Sequence, residues 1–258
     1  GCSCDWMRHR FTMDKDSNLA VRTLFKKMYD QNLIYRGNYL VNWDCITQTA
    51  LADDEVEYEE RETNLWHFRY PLSGKKDYLT IATTRPETMF GDVAVAVSPK
   101  DSRYKSFIGK EVTLPIVGRK IPIIADNYVD PKFGTGAVKI TPAHDMNDWE
   151  VGTRHNLLPI NILNPDGTLN KNGLEYEGLT IEKARSQVVN RMKQLGLLER
   201  IEYHVNRVGI SYRSKAVIQP YLSKQWFIKM EPFKKQLIDA VKNGKVKLIP
   251  KNWENTYY

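Results

Sequence analysis

Between residues 16 and 35 apolar side chains recur every three or four positions, at Leu19, Leu24, Phe25, Met28, Tyr29 and Leu33. That spacing predicts a helix with one apolar face, and Asp16 or Ser17 can cap its start. Residues 35–52 are mixed, with turn chemistry at Arg36-Gly37-Asn38. The acidic run 53–62 reads as a solvated strand edge or connector. From about residue 56 to 203 the pattern changes to short strands broken by turns. Residues 65–70 alternate, 71–77 turn, and 78–84 alternate again. Residues 93–97 and 137–140 are short apolar strands. Those at 111–116 and 120–124 each hold a proline, which predicts sheet edges or bulges. Helices are expected over 147–156 and 180–195, the second with Ile181, Ala184, Val188, Met192 and Leu195 on one face. Beyond 204 the chain turns basic and aromatic (His204, Arg207, Tyr212, Arg213, Lys215, Tyr221, Lys224, Trp226, Phe227, Lys229), then predicts a helix over 231–243.

Many short strands with few helices predict an α+β, β-rich fold, a partly closed barrel or sandwich and not a doubly wound sheet. The changes of pattern divide the chain into a helix-and-ribbon connector (1–55), a core domain (56–203) and a basic ribbon with a helix (204–258). Both ends read as mid-domain sequence, so a piece of a larger protein is expected. At 258 residues with 41% hydrophobic side chains, a sizeable core can form. The net charge of +7 favours a polyanionic partner, nucleic acid first, as a modest signal. Three cysteines, Cys2, Cys4 and Cys45, are too few and too clustered for a disulfide framework. With no apolar run long enough to span a membrane, a cytoplasmic setting is the default expectation.

Two stretches are poor core material. In 133–148, Gly134 and Gly136 permit close backbone approach beside Phe133, and Lys139 and Thr141 alternate against Val138 and Ile140. Pro142 stops the strand, and Asp145 and Asp148 stand three apart at a helix start, near its positive end. One cation, hydroxyls and two acids would converge, which suits a small substrate carrying an ammonium and a hydroxyl. A plainer account stays open for each residue alone: Asp145 caps the helix, and Lys139 pairs with an acid. In 81–92, Arg85 follows a strand and precedes a proline turn, where it can meet a phosphate or carboxylate in a two-pronged contact. A capping box of Thr84 with Glu87 is compatible with that.

Thr-Thr-Arg-Pro-Glu-Thr at 83–88 followed by Gly91-Asp92, and Gly-Thr-Gly-Ala-Val-Lys-Ile-Thr-Pro-Ala-His-Asp at 134–145, resemble the amino-acid-editing domain of class I aminoacyl-tRNA synthetases of the valyl type. Leucyl enzymes carry an aspartate in place of Glu87, and isoleucyl enzymes a Thr-Pro-Trp-Thr version. The likeness extends to Cys4-Asp5-Trp6, residues 10–14, Tyr35-Arg36-Gly37, residues 40–43 and Gln225-Trp226-Phe227. It implies the editing-domain barrel with peripheral helices, set in the connective polypeptide of a larger synthetase. The ATP motifs of the His-Ile-Gly-His and Lys-Met-Ser-Lys-Ser types are not in this stretch, so aminoacylation is not expected of it.

The resemblance also implies an activity: hydrolysis of threonine wrongly esterified to a valine tRNA, with threonyl-adenylate as a further substrate. An apolar pocket rejects an added hydroxyl only weakly, as is established for valyl enzymes themselves, and a second site that hydrogen-bonds the hydroxyl reverses the preference. By similarity Asp145 holds the substrate ammonium, and Lys139, Thr141 and Asp148 read its hydroxyl. Thr84, Arg85, Thr88 and Phe133 position the ester and the terminal adenosine, Phe133 by stacking. His144 stands between two roles, general base or a supporting histidine behind the site. No cofactor and no side-chain nucleophile are implied; a held water attacks, helped by the terminal ribose hydroxyl. The expected partners are the aminoacylated end of mischarged tRNA and the rest of the synthetase, with a monomeric state and no membrane contact.

The chain departs from the pattern where many relatives carry Cys-Pro-x-Cys. Here residues 44–47 read Asp-Cys-Ile-Thr, and a second pair falls on Ser211 and Ser214, so no structural metal is expected. Two rivals remain: an isoleucyl-type editor, which needs an apolar slot where Lys139 and Asp148 stand, and a non-catalytic tRNA-binding module. The 204–229 stretch fits either tRNA contact or packing on the synthetase body.

Overall fold

Four small apolar residues in a row, Ala94–Val97, are all fully buried and form the strand around which the largest sheet is built. The computed structural model describes residues 3–74, 76–132 and 134–258. In chain order its elements are α1 (Lys15–Asp30), β1 (Ile34–Asp44), β2 (Thr49–Leu51), β3 (Val56–Pro71), β4 (Tyr78–Thr83), β5 (Ala94–Val97), β6 (Glu111–Thr113), β7 (Lys120–Ala125), β8 (Ala137–Ile140), α2 (Met146–Arg154), α3 (Ile181–Gln194), β9 (Leu198–Ser211), β10 (Gln219–Ile228), α4 (Glu231–Lys242) and α5 (Glu254–Tyr257). Short 3₁₀ turns punctuate them, among them Pro86–Gly91. The class is α+β.

The strands form three sheets, ordered β10-β1-β2, β4-β3-β9 and β6-β7-β5-β8. Each has open edges, and a bridge between Leu72 and Val112, with Ser73 N donating to Glu111 O at 2.9 Å, links the second to the third. Of the expected partly closed barrel or sandwich, the β-rich α+β class is seen, whereas among the described residues the hydrogen-bonded ladders do not join into one cylinder. In the four-stranded sheet β5 runs parallel to β7 and antiparallel to β8, with Val95 opposite Lys139 and Ala94 opposite Ile140. β3 is long enough to serve twice. Its second half pairs with β4 and packs on the core, while its acidic first half pairs only with β9 and is mostly exposed. The acidic run is thus one strand of a solvated two-stranded ribbon.

By chain contacts the protein divides into two compact units, residues 1–39 with 224–258, and residues 40–223. The first carries fifteen basic and seven acidic residues, the second twenty-three and twenty-four. In the first unit Asp14 caps α1 by accepting from Ser17 N at 2.8 Å, so the cap lies before the two residues expected. Phe25 and Tyr29 meet the Trp226 ring edge-on, and Tyr35 stacks on Phe227 with ring centres 5.4 Å apart. In the second unit the core gathers Phe68, Tyr70, Leu79, Ile81, Phe90, Val95, Val97 and Leu114, closed by Ala184, Val188 and Met192 of α3. Leu195, expected on the same face, stays exposed at the end of that helix.

Two local expectations fail for physical reasons. Arg36-Gly37-Asn38 does not turn; β1 runs straight through it, because pairing with its neighbours outweighs local turn preference. Pro122 lies in an inner strand, not an edge. Ile123 N donates toward Lys110 O at 2.8 Å, so the missing donor of Pro122 faces the β5 side, one residue before that pairing starts.

Candidate active site

β8 ends at Ile140, and the chain turns sharply through Thr141 and Pro142 into α2. Asp145 caps that helix: its Oδ1 accepts from Asn147 N at 2.9 Å and Asp148 N at 3.1 Å. The capping leaves Asp145 half-buried, with the helix start and its partial positive charge behind it. Asp148, three residues on, points back at the strand end, where its Oδ2 accepts from Thr141 N at 2.8 Å. Its other oxygen has no donor among the described residues. Burial and the neighbouring Asp145 charge push its carboxyl up from 3.8 to about 7, with Lys139 and the Thr141 N–H pulling the other way.

Lys139 and Thr141 share the side of β8 that turns toward Asp92. Lys139 Nζ donates to Asp92 Oδ1 at 2.8 Å and also to Thr141 Oγ1, while Thr141 Oγ1 donates to Asp92 Oδ1 at 2.6 Å. Asp92 is fully buried, and its other oxygen accepts from Tyr70 OH at 2.8 Å. The Tyr70 phenol, also fully buried and beside that carboxylate, is held well above its ordinary pKa and stays a donor. Arg119 Nη2 donates to the carbonyls of Phe90 and Asp92 at 2.9 and 2.8 Å, fixing the backbone on either side of Gly91. A Cβ at Gly91 would come within 2.9 Å of Ile160 O and 3.0 Å of Thr141 Cγ2, so only glycine lets Asp92 approach the strand end this closely.

The 83–88 stretch reaches the same corner. Arg85 Nη1 donates to His144 O at 2.7 Å and Nη2 to Gln219 Oε1 at 2.6 Å, so the guanidinium ties the turn before α2 to the start of β10. The expected capping box is absent. Arg85 occupies the cap position of the Pro86–Gly91 turn, and the buried Glu87 makes a bidentate pair with the half-buried Arg185 of α3, at 2.8 and 2.9 Å, while its Oε1 also lies 3.6 Å from Arg85 Nε. Thr88 is buried and donates to Arg85 O at 2.9 Å, which tightens the turn. Thr84 is half-buried, and its side chain has no hydrogen bond among the described residues. The imidazole of His144 is enclosed, with Nε2 accepting from Ile162 N at 2.9 Å. Burial, then the charges of Arg85 and Lys139, push its pKa down to about 3. It therefore stays neutral, with Nε2 already engaged by Ile162 N. Phe133 lies outside the described residues.

Lys139, Thr141, Asp145 and Asp148 are thus brought together, Arg85 ties the second stretch to them, and Thr88 and His144 stand behind. Asp92, Tyr70 and Arg119 were not singled out as site residues from sequence. Gly91-Asp92 is visible as part of the motif, but the donors that give it meaning come from β3 and from the end of β8. A cavity of about 510 Å³ lined by Val117, Arg119, Ile160, Asn161, Asn170 and Leu174 opens elsewhere; the four site residues do not line it.

A second polar cluster joins residues 44–47 to Ser211 and Ser214. Asp44 Oδ2 accepts from Ser211 Oγ and Ser214 Oγ, both at 2.7 Å, and Oδ1 accepts from Ile46 N and Thr47 N at 2.9 and 3.1 Å. Burial by itself would raise the Asp44 pKa, but these donors overcome it and hold the carboxylate ionised far below the usual range. Two turns distant in sequence are clipped by one side chain. Among the described residues no three His, Cys, Asp or Glu side chains gather as a metal site.

The whole chain, residues 1–258, matches the family described as tRNA synthetases class I (I, L, M and V). A valine–tRNA ligase of Protochlamydia amoebophila is 63% identical over 258 residues, which cover 100% of this chain and 27% of that protein. Those of Geobacter sulfurreducens and Geobacillus stearothermophilus are 52% and 54% identical, again over 100% of this chain and over 29% of each relative. The chain spans less than a third of the length of these relatives. A ternary complex of an Agrobacterium radiobacter K84 LeuRS with tRNA and LeuAMS aligns over 76% of this chain and 33% of its own at 19% identity, with a TM-score of 0.43, too loose a likeness to add to those identities.

Proposed function

The chain belongs to the class I tRNA synthetases (I, L, M and V), and on that premise we propose that residues 40–223 form an editing site that hydrolyses threonine wrongly esterified to a valine tRNA. The observation that carries this reading is the donor and acceptor pattern at the end of β8. Lys139 has two of its three N–H donors engaged among the described residues, by Asp92 and Thr141, which leaves one to give. Asp148 has one oxygen engaged by Thr141 N, which leaves one to accept. A hydroxyl both accepts and donates and satisfies the two at once. A methyl in the same place satisfies neither and strands buried polar groups, a cost of about 1–3 kcal/mol for each.

Asp145, charged and half-exposed at the corner, takes the substrate ammonium. The ester and terminal ribose then lie toward Thr84, with Arg85 and Thr88 keeping that wall in shape. No side chain here is an activated nucleophile, and His144 is unsuited to take a proton. A water held beside the ester and helped by the vicinal ribose hydroxyl performs the attack, and the polar corner stabilises the charge that develops. The excess of positive charge in residues 1–39 and 224–258 supports contact with a polyanionic tRNA.

Purified chain incubated with threonyl-tRNA and valyl-tRNA tests the reading. Release of threonine at least tenfold faster than of valine is expected. Preferential release of valine would point instead to an isoleucyl-type editor. Binding without hydrolysis of either would leave a tRNA-binding module.

A further inference from the structure

Asp92 makes no hydrogen bond to Asp145 or Asp148 among the described residues, yet it fixes which way Lys139 faces and holds the Thr141 hydroxyl beside it. The geometry points to Asp92, backed by Tyr70, as the positioning residue that sets threonine-over-valine discrimination, an inference that rests on the editing reading. Oδ1 of Asp92 receives both Lys139 Nζ and the Thr141 hydroxyl, at 2.8 and 2.6 Å, and Oδ2 receives Tyr70 OH at 2.8 Å.

Every hydrogen bond in this set has one possible direction. The Tyr70 proton must go to Asp92, because the buried phenol stays protonated. The Thr141 proton goes to Asp92, so its oxygen is left only to accept, and it accepts from Lys139. Two of the three Lys139 protons are then committed, and rotation about the terminal C–N bond is stopped. The remaining N–H has a single direction. A lysine free to rotate would meet a water as readily as a substrate hydroxyl, and the penalty for binding a methyl would vanish. Tyr70 is the rigid end of the chain of contacts: its ring lies fully buried in the core with Phe68 and Phe90. The carbonyl of Asp92, held by Arg119 Nη2 at 2.8 Å, fixes the backbone beneath it.

The test measures the ratio of threonyl- to valyl-tRNA hydrolysis in wild type, Asp92→Asn and Tyr70→Phe. Asp92→Asn keeps the shape but removes the charge that Lys139 faces, and a 10- to 100-fold fall in the ratio is expected, the range of one lost hydrogen bond to a charged group. Tyr70→Phe keeps the ring and the core and frees only Oδ2, and a fall of about 3- to 10-fold is expected. The ratio separates positioning from mere loss of fold, since a smaller folded fraction lowers both rates alike. If Asp92→Asn fails to fold, Tyr70→Phe decides alone. A ratio within twofold of wild type in the variants that fold overturns the inference while leaving the editing reading intact. A wild-type chain that hydrolyses neither ester sinks the editing reading itself.

Discussion

At the scale of single residues, Asp145 has two duties that can be separated. Its side chain caps α2, and its charge faces the corner. Asp145→Asn keeps a cap and is expected to melt near wild type while losing at least tenfold in threonyl-tRNA hydrolysis. Asp145→Ala should lose activity and also about 1 kcal/mol of stability, read from urea unfolding. Asp148 couples function to pH. Its folded pKa of about 7 lies above the ordinary 3.8, so the native state holds this proton more tightly than the unfolded chain does. The resulting destabilisation is absent below about pH 4, grows between 4 and 7, and is complete above 7. Asp148→Asn should therefore raise the melting temperature at pH 8 by a few degrees, on the order of 2 kcal/mol, and leave it unchanged at pH 4. Relative to uncatalysed ester hydrolysis, wild-type activity should climb through pH 7, and in Asp148→Asn that climb should disappear. Strand alternation and helix spacing made Lys139, Thr141 and Asp148 legible before any coordinates. Asp92 was not legible in that way, because its meaning is three donors brought from β3 and β8, and neighbours across strands leave no mark in local spacing.

At the scale of elements, the 3₁₀ turn Pro86–Gly91 is anchored to α3 by Glu87 and Arg185, a carboxylate only 1% exposed and a guanidinium bound in two places. Removing one partner strands the other. Glu87→Gln is expected to cost on the order of 3 kcal/mol in urea unfolding, and Glu87→Leu combined with Arg185→Met to recover much of it. A double variant no more stable than Glu87→Gln would show that the pair contributes something beyond the burial of charge. The strands of the core and the helices α2 and α3 fell within a few residues of their expected places, since their apolar periods are long and regular. The failures cluster where partners outvote local preference. Arg36-Gly37-Asn38 is drawn into β1 by its neighbours, Glu87 pairs with Arg185 of a distant helix instead of closing a capping box, and the strands remain in three sheets because no ladder closes the last gap.

For the whole molecule, the excess positive charge belongs to residues 1–39 and 224–258, whereas the unit with the site is close to neutral. Replacing Lys245, Lys247 and Lys251 by Glu should weaken tRNA binding and reduce the salt slope of log K by up to about three, with the threonine-to-valine ratio unchanged. A change in that ratio would mean that charge and recognition are not separable here. The net charge was plain in the sequence; its segregation was not, because the basic unit is assembled from both ends of the chain. One further consequence follows from the way Asp44 clips the turns at 45–47 and 211–214 with oxygen and nitrogen alone. A joint of that composition offers a chelator nothing to extract, and the one thiol within the turn, Cys45, is pushed up to about 11 by burial and the Asp44 charge, which leaves peroxide little thiolate to attack. Treatment with EDTA or with mild oxidant should leave the unfolding curve where it was, whereas Asp44→Ala should shift it by several degrees.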